Sequence, residues 1–203
     1  MGTNNFKIIK LDQKYIKDIS TIWTESLPNN LKSMIGGHLI TIYLSKFLKD
    51  NSNIAIGLFD SDKLYGFVLF GNDGKIIKQI VKENFFLILV SFIKSFLLFD
   101  FFKIKNFINC FIFILLSKKK ETYLRKNNTE LIIICVSNVN QNKGLGSFLF
   151  ENAITNYDIH FQQFEGIFVK TLKKDMNNIS FYKKNKFNHL FELFGRVYLR
   201  YTN

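Results

Sequence analysis

Residues 131–150 read Leu131-Ile132-Ile133-Ile134-Cys135-Val136-Ser137-Asn138-Val139-Asn140-Gln141-Asn142-Lys143-Gly144-Leu145-Gly146-Ser147-Phe148-Leu149-Phe150, and this stretch decides the fold. The aliphatic run Leu131 to Val136, with Cys135 in it, predicts a strand covered on both faces. A polar turn carrying two glycines follows, and then a helix from about Gly144 to Asn156, with Leu145, Phe148, Leu149, Asn152 and Ala153 on one side. Glycines at such a junction allow unusual φ and close approach by a ligand. The first N–H groups of the helix have no partner inside it, and with the helix dipole they make a site for an anion such as a diphosphate. Lys143 adds a positive charge beside it. The turn is not a Walker loop, since no Lys-Ser/Thr pair follows Gly146, and GxGxxG fails because position 149 is Leu.

Working outward, Phe6 to Leu11 reads as a strand, and Asp12 stands as the N-cap of a helix with apolar positions Ile16, Ile19, Ile22 and Trp23, ended by Pro28. A second helix is predicted over Leu31 to Leu48. Asn53 to Phe59 and Leu64 to Phe70 flank polar turn residues and predict a hairpin closed by Gly71-Asn72-Asp73-Gly74. After the glycine turn, Gly166 to Thr171 reads as a strand, Asn177 to Asn185 as a short helix, and Phe187 to Leu193 with Val197 to Tyr201 as a last hairpin. This order implies a mixed sheet with helices on its faces, in the α/β (mixed α+β) class, and one domain over residues 1–203.

The segment Gln141-Asn142-Lys143-Gly144-Leu145-Gly146, preceded by Ile134-Cys135-Val136, resembles the Gln/Arg-x-x-Gly-x-Gly/Ala signature of the GNAT acetyltransferases. Farther on, Asn178-Ile179-Ser180-Phe181-Tyr182-Lys183-Lys184-Asn185-Lys186-Phe187 resembles the late helix of that family, which ends in Phe-Tyr and leads to Gly-Phe. The resemblance implies a GNAT-like central mixed β-sheet flanked by helices. It implies acetyl-CoA as co-substrate, with pantetheine paired to the strand at Ile134, Cys135 and Val136 and the pyrophosphate held by amides of residues 141–146. Tyr182 is then the acid that gives a proton to the departing thiolate. Packing of Phe181 and Tyr182 on the sheet is the plainer alternative.

The chain departs from the family pattern at Asp175 and Asn178, where Asn and Ala are usual, so Asn177 is the candidate to supply the amide, and Lys186 stands where Gly is usual. For a base that takes the proton of the amine, Glu130 at the start of the strand is the residue available, against the reading of a solvated strand-end carboxylate. His38, His160 and His189 show no metal-ligand spacing, so no metal is expected. Cys110 and Cys135 lie in apolar runs without CxxC spacing and read as core residues. The function expected is transfer of acetyl from acetyl-CoA to a small primary amine, such as an amino sugar, by direct attack. The alternative is a non-catalytic acyl-CoA-binding or scaffold protein on the same fold.

Residues 75–126 form an insertion between the hairpin and the strand. They hold eleven Lys or Arg against three acidic residues, a large share of the chain's +12, together with ten of its 24 Phe. No uncharged run there is long enough to span a bilayer. Amphipathic helices near 76–99 and 101–117 are expected, lying either on an anionic membrane surface or against protein, which includes the second subunit of a homodimer. Nucleic acid is not the expected partner, because the aromatics cluster in apolar runs instead of interleaving with Arg. The first residues show no apolar signal segment after a basic start, so a cytoplasmic protein, peripheral at the inner membrane face if the insertion binds lipid, is expected.

Overall fold

Phe6–Lys10 forms an edge strand, β1, and Asp12 turns the chain: its carboxylate accepts from the Lys14 N–H at 3.0 Å and caps a 3-10 turn, Gln13–Tyr15. Helix α1, Ile16–Ser26, then buries Ile19, Ile22 and Trp23. The structure is a computed structural model that describes residues 6–27, 37–84, 128–157 and 166–202, with isolated positions 86, 89, 90, 93, 108, 124 and 126. Helix α2, Gly37–Lys49, buries Ile40, Tyr43, Leu44 and Phe47; Pro28 and the first turns predicted for this helix, residues 31–36, lie outside the described residues.

The predicted hairpin is present as β2, Ile54–Asp60, and β3, Lys63–Gly71, paired antiparallel. Its far end differs from expectation. Residues 71–74 do not close the hairpin as a turn; Asn72 caps a helix, α3, Asp73–Glu83, by accepting from the Gly74 N–H at 3.2 Å, and Asn53 holds the Asn72 N–H at 3.1 Å. An asparagine before a helix satisfies an otherwise orphan donor, which is why the helix opens three residues before the 76 read from periodicity. Ile76 and Ile80 bury the inner face of α3, and Lys46 of α2 pairs with Glu83 at 2.7 Å. Of the predicted insertion helices beyond Asn84, only positions 86, 89, 90, 93 and 108 are among the described residues.

Strand β4, Asn128–Val136, is followed by a 3-10 turn, Asn138–Asn140, and helix α4, Leu145–Tyr157. The buried stripe of α4 is Leu149, Phe150 and Ala153; Phe148, predicted on that stripe, is exposed at its rim against the Phe6 ring, 6.0 Å away. Strand β5, Gly166–Leu172, helix α5, Met176–Lys184, and the hairpin β6, Phe187–Leu193, with β7, Arg196–Tyr201, complete the described elements. The seven strands form one mixed sheet in the order β1-β2-β3-β4-β5-β7-β6. One face packs on α1, α2 and α3, and the other carries α4 and α5 against Ile56, Leu58, Val68 and Phe70. No described helix is long and apolar enough to cross a membrane.

Candidate functional site

The two central strands part company in mid-sheet. β4 and β5 pair in parallel through only three registered positions, Asn128↔Gly166, Thr129↔Ile167 and Glu130↔Phe168. Beyond them β4 continues to pair with β3 up to Val136↔Gly66, whereas β5 pairs with β7 up to Leu172↔Arg196. A β-bulge lies at the point of parting: Leu69 pairs with Ile133 and Phe70 with Leu131, which leaves Ile132 as the extra residue. A bulge bends its strand and sharpens its twist, so β4 turns away from β5 there. Among the described residues no strand pairs with 131–136 on the β5 side, so the ladder gives that stretch no partner strand toward the wedge.

At the top of the wedge lies the glycine turn. Asn142 and Gly144 have φ of +60° and +79°, and nothing lies within 4 Å of where a Cβ on Gly144 would be. Successive backbone N–H groups in a turn that includes left-handed residues converge on a common concavity. The first amides of α4 follow at once, and the earliest backbone bond closing onto the helix is Phe148 N–H to Gly144 O at 3.0 Å. Gly146 is needed for packing: a Cβ there would sit 3.1 Å from the Phe181 ring of α5.

The side chains of the signature brace the turn. Gln141 donates through Nε2 to Val136 O at 3.0 Å and to Asn138 Oδ1 at 3.1 Å. Lys143 Nζ donates to Val139 O at 2.8 Å and to Asn140 Oδ1 at 3.3 Å, so its charge stays beside the turn while its donors fix the loop. Ser26 Oγ at the end of α1 also donates to Val136 O, at 3.1 Å, tying the turn to the opposite face of the sheet. The arrangement offers backbone amides to a diphosphate and an unpaired strand edge to an extended, amide-bearing chain. The residues therefore fit coenzyme A chemistry.

Tyr182 projects from α5 into the core beside the wedge, its ring 5.3 Å from Phe181 and 5.4 Å from Phe187. Burial first, then the Asp175 carboxylate and the Cys135 thiol, push its phenol far above the ordinary value. Cys135 packs with α1 on one face of the sheet, and Tyr182 packs with the α4 and α5 side on the other. Cys135 is buried, its thiol pushed up to about 11 mainly by burial, and its Sγ lies 3.9 Å from Ile22 O, so it is a protonated core residue at neutral pH.

Asp175, where the family has Asn, caps α5 by accepting from the Asn178 N–H at 3.1 Å and from Asn178 Nδ2 at 2.7 Å. The two departures at 175 and 178 thus answer each other. Asn177 is exposed on the first turn of α5 and lines a shallow cleft with Leu172, Lys174, Asp175 and Met176. Lys186, in place of Gly, has φ +64°. The backbone bend after α5 is therefore retained with a residue that strains to adopt it.

Glu130 differs from a solvated strand end. It is 1% exposed and paired with Lys170 Nζ of β5 at 3.0 Å, at the foot of the wedge. Lys170 was not singled out by sequence, although a lysine inside the apolar run Gly166 to Leu172 is a legible signal, because a buried ammonium needs a partner. His38 and His189 are both exposed, one on α2 and the other on β6, and His160 and Cys110 lie outside the described residues. Among the described residues no three His, Cys, Asp or Glu come together as a metal-binding group.

The same architecture recurs in solved structures across nearly the whole chain. An acetyltransferase from Thermus thermophilus superposes with a TM-score of 0.59 at 10% identity, covering 98% of this chain and 98% of that one. A PaiA N-acetyltransferase from Thermoplasma acidophilum, in complex with coenzyme A, gives 0.60 at 11% identity, covering 98% and 99%. A GNAT-family acetyltransferase from Streptococcus pneumoniae gives 0.53 at 16% identity, covering 97% and 98%. The chain has the GNAT fold. No protein-family model and no curated protein matches it by sequence. The parted strands and the glycine turn lie at the middle strand of the seven-stranded sheet and the helix that follows it.

Proposed function

We propose that the chain is an acetyl-CoA-dependent N-acetyltransferase whose acceptor is a small primary amine, amino sugars included. The observation that carries this reading is the wedge between β4 and β5, opening beside the unpaired amides that begin α4. The likeness to an N-acetyltransferase complexed with coenzyme A supports the choice of co-substrate. In the reaction the amine nitrogen attacks the thioester carbonyl, the C–N bond forms, and the C–S bond breaks. Glu130 takes the proton lost by nitrogen, through water because its carboxylate is buried, and Tyr182 gives its proton to the departing thiolate. Solvent then restores both groups. Residues 134–136 pair with the pantetheine arm, the amides of 141–146 hold the pyrophosphate, and Asn177 supplies a side-chain amide from α5.

The test is release of free thiol from acetyl-CoA across a panel of primary amines, with the acetylated product identified by mass. Amine-dependent release is expected. Acetyl-CoA retained in calorimetry with no release for any amine would instead leave the non-catalytic, acyl-CoA-binding scaffold.

A cytoplasmic chain held peripherally at an anionic membrane is the second part of the reading. Phe86, Leu89, Val90 and Ile93, spaced as one face of a helix, are exposed, Phe86 by 78%. The basic excess of residues 75–126 complements acidic head groups. The chain is expected to sediment with phosphatidylglycerol vesicles and not with phosphatidylcholine vesicles, and Phe86→Glu with Val90→Glu is expected to release it. Sedimentation unchanged by that double substitution would remove the lipid role.

A further inference from the structure

We propose that Lys170 is the positioning residue for the acceptor-side base, holding the Glu130 carboxylate ionised and aimed at the foot of the wedge; this rests on the acetyltransferase reading. The last registered pair between β4 and β5 is Glu130↔Phe168, and Lys170 lies two residues farther along β5, where no backbone pairing to β4 remains. Its ammonium reaches back across the gap to Glu130 Oε1 at 3.0 Å, the two side chains being 15% and 2% exposed. The ion pair spans the point at which the strands separate.

An ion pair so buried is a poor device for stability alone, since desolvation offsets the attraction and two apolar side chains serve as well. Its effect on charge is direct. An ammonium within about 4 Å of a carboxylate lowers the carboxylate pKa by roughly 1–3 units. Lys170 Nζ is in direct contact with the carboxylate, and other charged groups share or border this face. By register Arg196 and Arg200 of β7 share the face, and the Arg200 guanidinium lies over Gly166 of β5. On α1, which packs against β4, Lys17, Asp18 and Glu25 are exposed. On α2 and α3, Lys46 is bonded to Glu83, while Lys49, Lys78 and Lys82 carry charges of the same sign as Lys170.

The experiment compares the full chain with Lys170→Met and Lys170→Arg, measuring acetyl-CoA affinity, kcat, KM for the amine and the pH profile of kcat/KM. Lys170→Met is expected to lower kcat at least tenfold, leave acetyl-CoA affinity within about twofold, and move the acidic limb upward by about one unit or more. Lys170→Arg keeps the charge and is expected to restore the limb. In the Glu130→Gln background, Lys170→Met is expected to cost no further rate.

A folded Lys170→Met protein whose limb stays in place overturns the assignment alone, and so does a double variant slower than Glu130→Gln. A wild-type chain that binds acetyl-CoA and acetylates no amine overturns the acetyltransferase reading and the assignment with it. If Lys170→Met does not fold, the Lys170→Arg profile decides: a limb displaced despite the retained charge overturns the proposal.

Discussion

The two ends of β4 make opposite use of one strand. At its lower end, Asn128 to Glu130, backbone pairing runs to β5, Glu130 also pairs with Gly71 of β3, and the side chains are buried. From Leu131 to Val136 pairing persists on the β3 side, the β5 side is unpaired, and Ile132, Ile134 and Val136 are only half-buried. A single bulge residue separates the two regimes. The lesson is that binding capacity arises where a central strand is denied its neighbour, because its backbone groups must still find partners.

Substitutions at the upper end, at Tyr182 or in the Glu130–Lys170 pair should change chemistry or binding, while those elsewhere should change stability alone. Tyr182→Phe is expected to lower kcat by about 10² or more with acetyl-CoA affinity unchanged, as removal of a general acid does. Steady-state kinetics with calorimetry checks this, and an unchanged kcat would return Tyr182 to a packing role.

Gly144→Val comes next. Its Cβ meets no atom, so its effect comes from forcing a β-branched residue to φ +79°. A strain of about 1–3 kcal/mol is expected to appear as an acetyl-CoA affinity weakened by about 5- to 150-fold, with the melting temperature less affected than binding. Affinity equal to wild type would show that the turn does not hold the ligand.

Cys135 tests whether the upper end is closed on its far side. Its folded pKa, about 11, is raised from 9.0 by burial, so its contribution to stability is complete below pH 9 and lost as pH rises through about 11. Cys135→Ala is expected to flatten the alkaline loss of stability by roughly 2–3 kcal/mol between those limits, read from denaturant midpoints at a series of pH values. An identical slope in both proteins would mean that the thiol is hydrated.

The smallest effect is expected outside both regimes. Lys186→Gly relieves a left-handed residue after α5 and should stabilise the fold by about 1 kcal/mol with kcat and acetyl-CoA affinity unchanged. A loss of activity would tie that turn to the site.

Much of this was legible before any coordinates. Period-two and helical spacing placed the strand at residues 131–136, the helix after it and the closing hairpin within a few residues of where they lie, since those patterns record which face is buried. The glycine turn was legible because few residues but Gly tolerate its φ. Two local signals were misread. The tetrapeptide 71–74 has turn composition yet holds a helix N-cap, and Phe148, placed on the apolar side of its helix, is exposed because which turn of α4 meets the sheet is decided by packing.

What the sequence by itself determined is the alternation of elements and the glycine-bearing turn between strand and helix, encoded in neighbours a few residues apart; it also put forward Tyr182 as the acid proposed above. What only the tertiary structure decided is the wedge and the Glu130–Lys170 contact at its foot. Those depend on the register between strands 38 residues or more apart in the chain, and no local pattern of side chains records where a pairing stops.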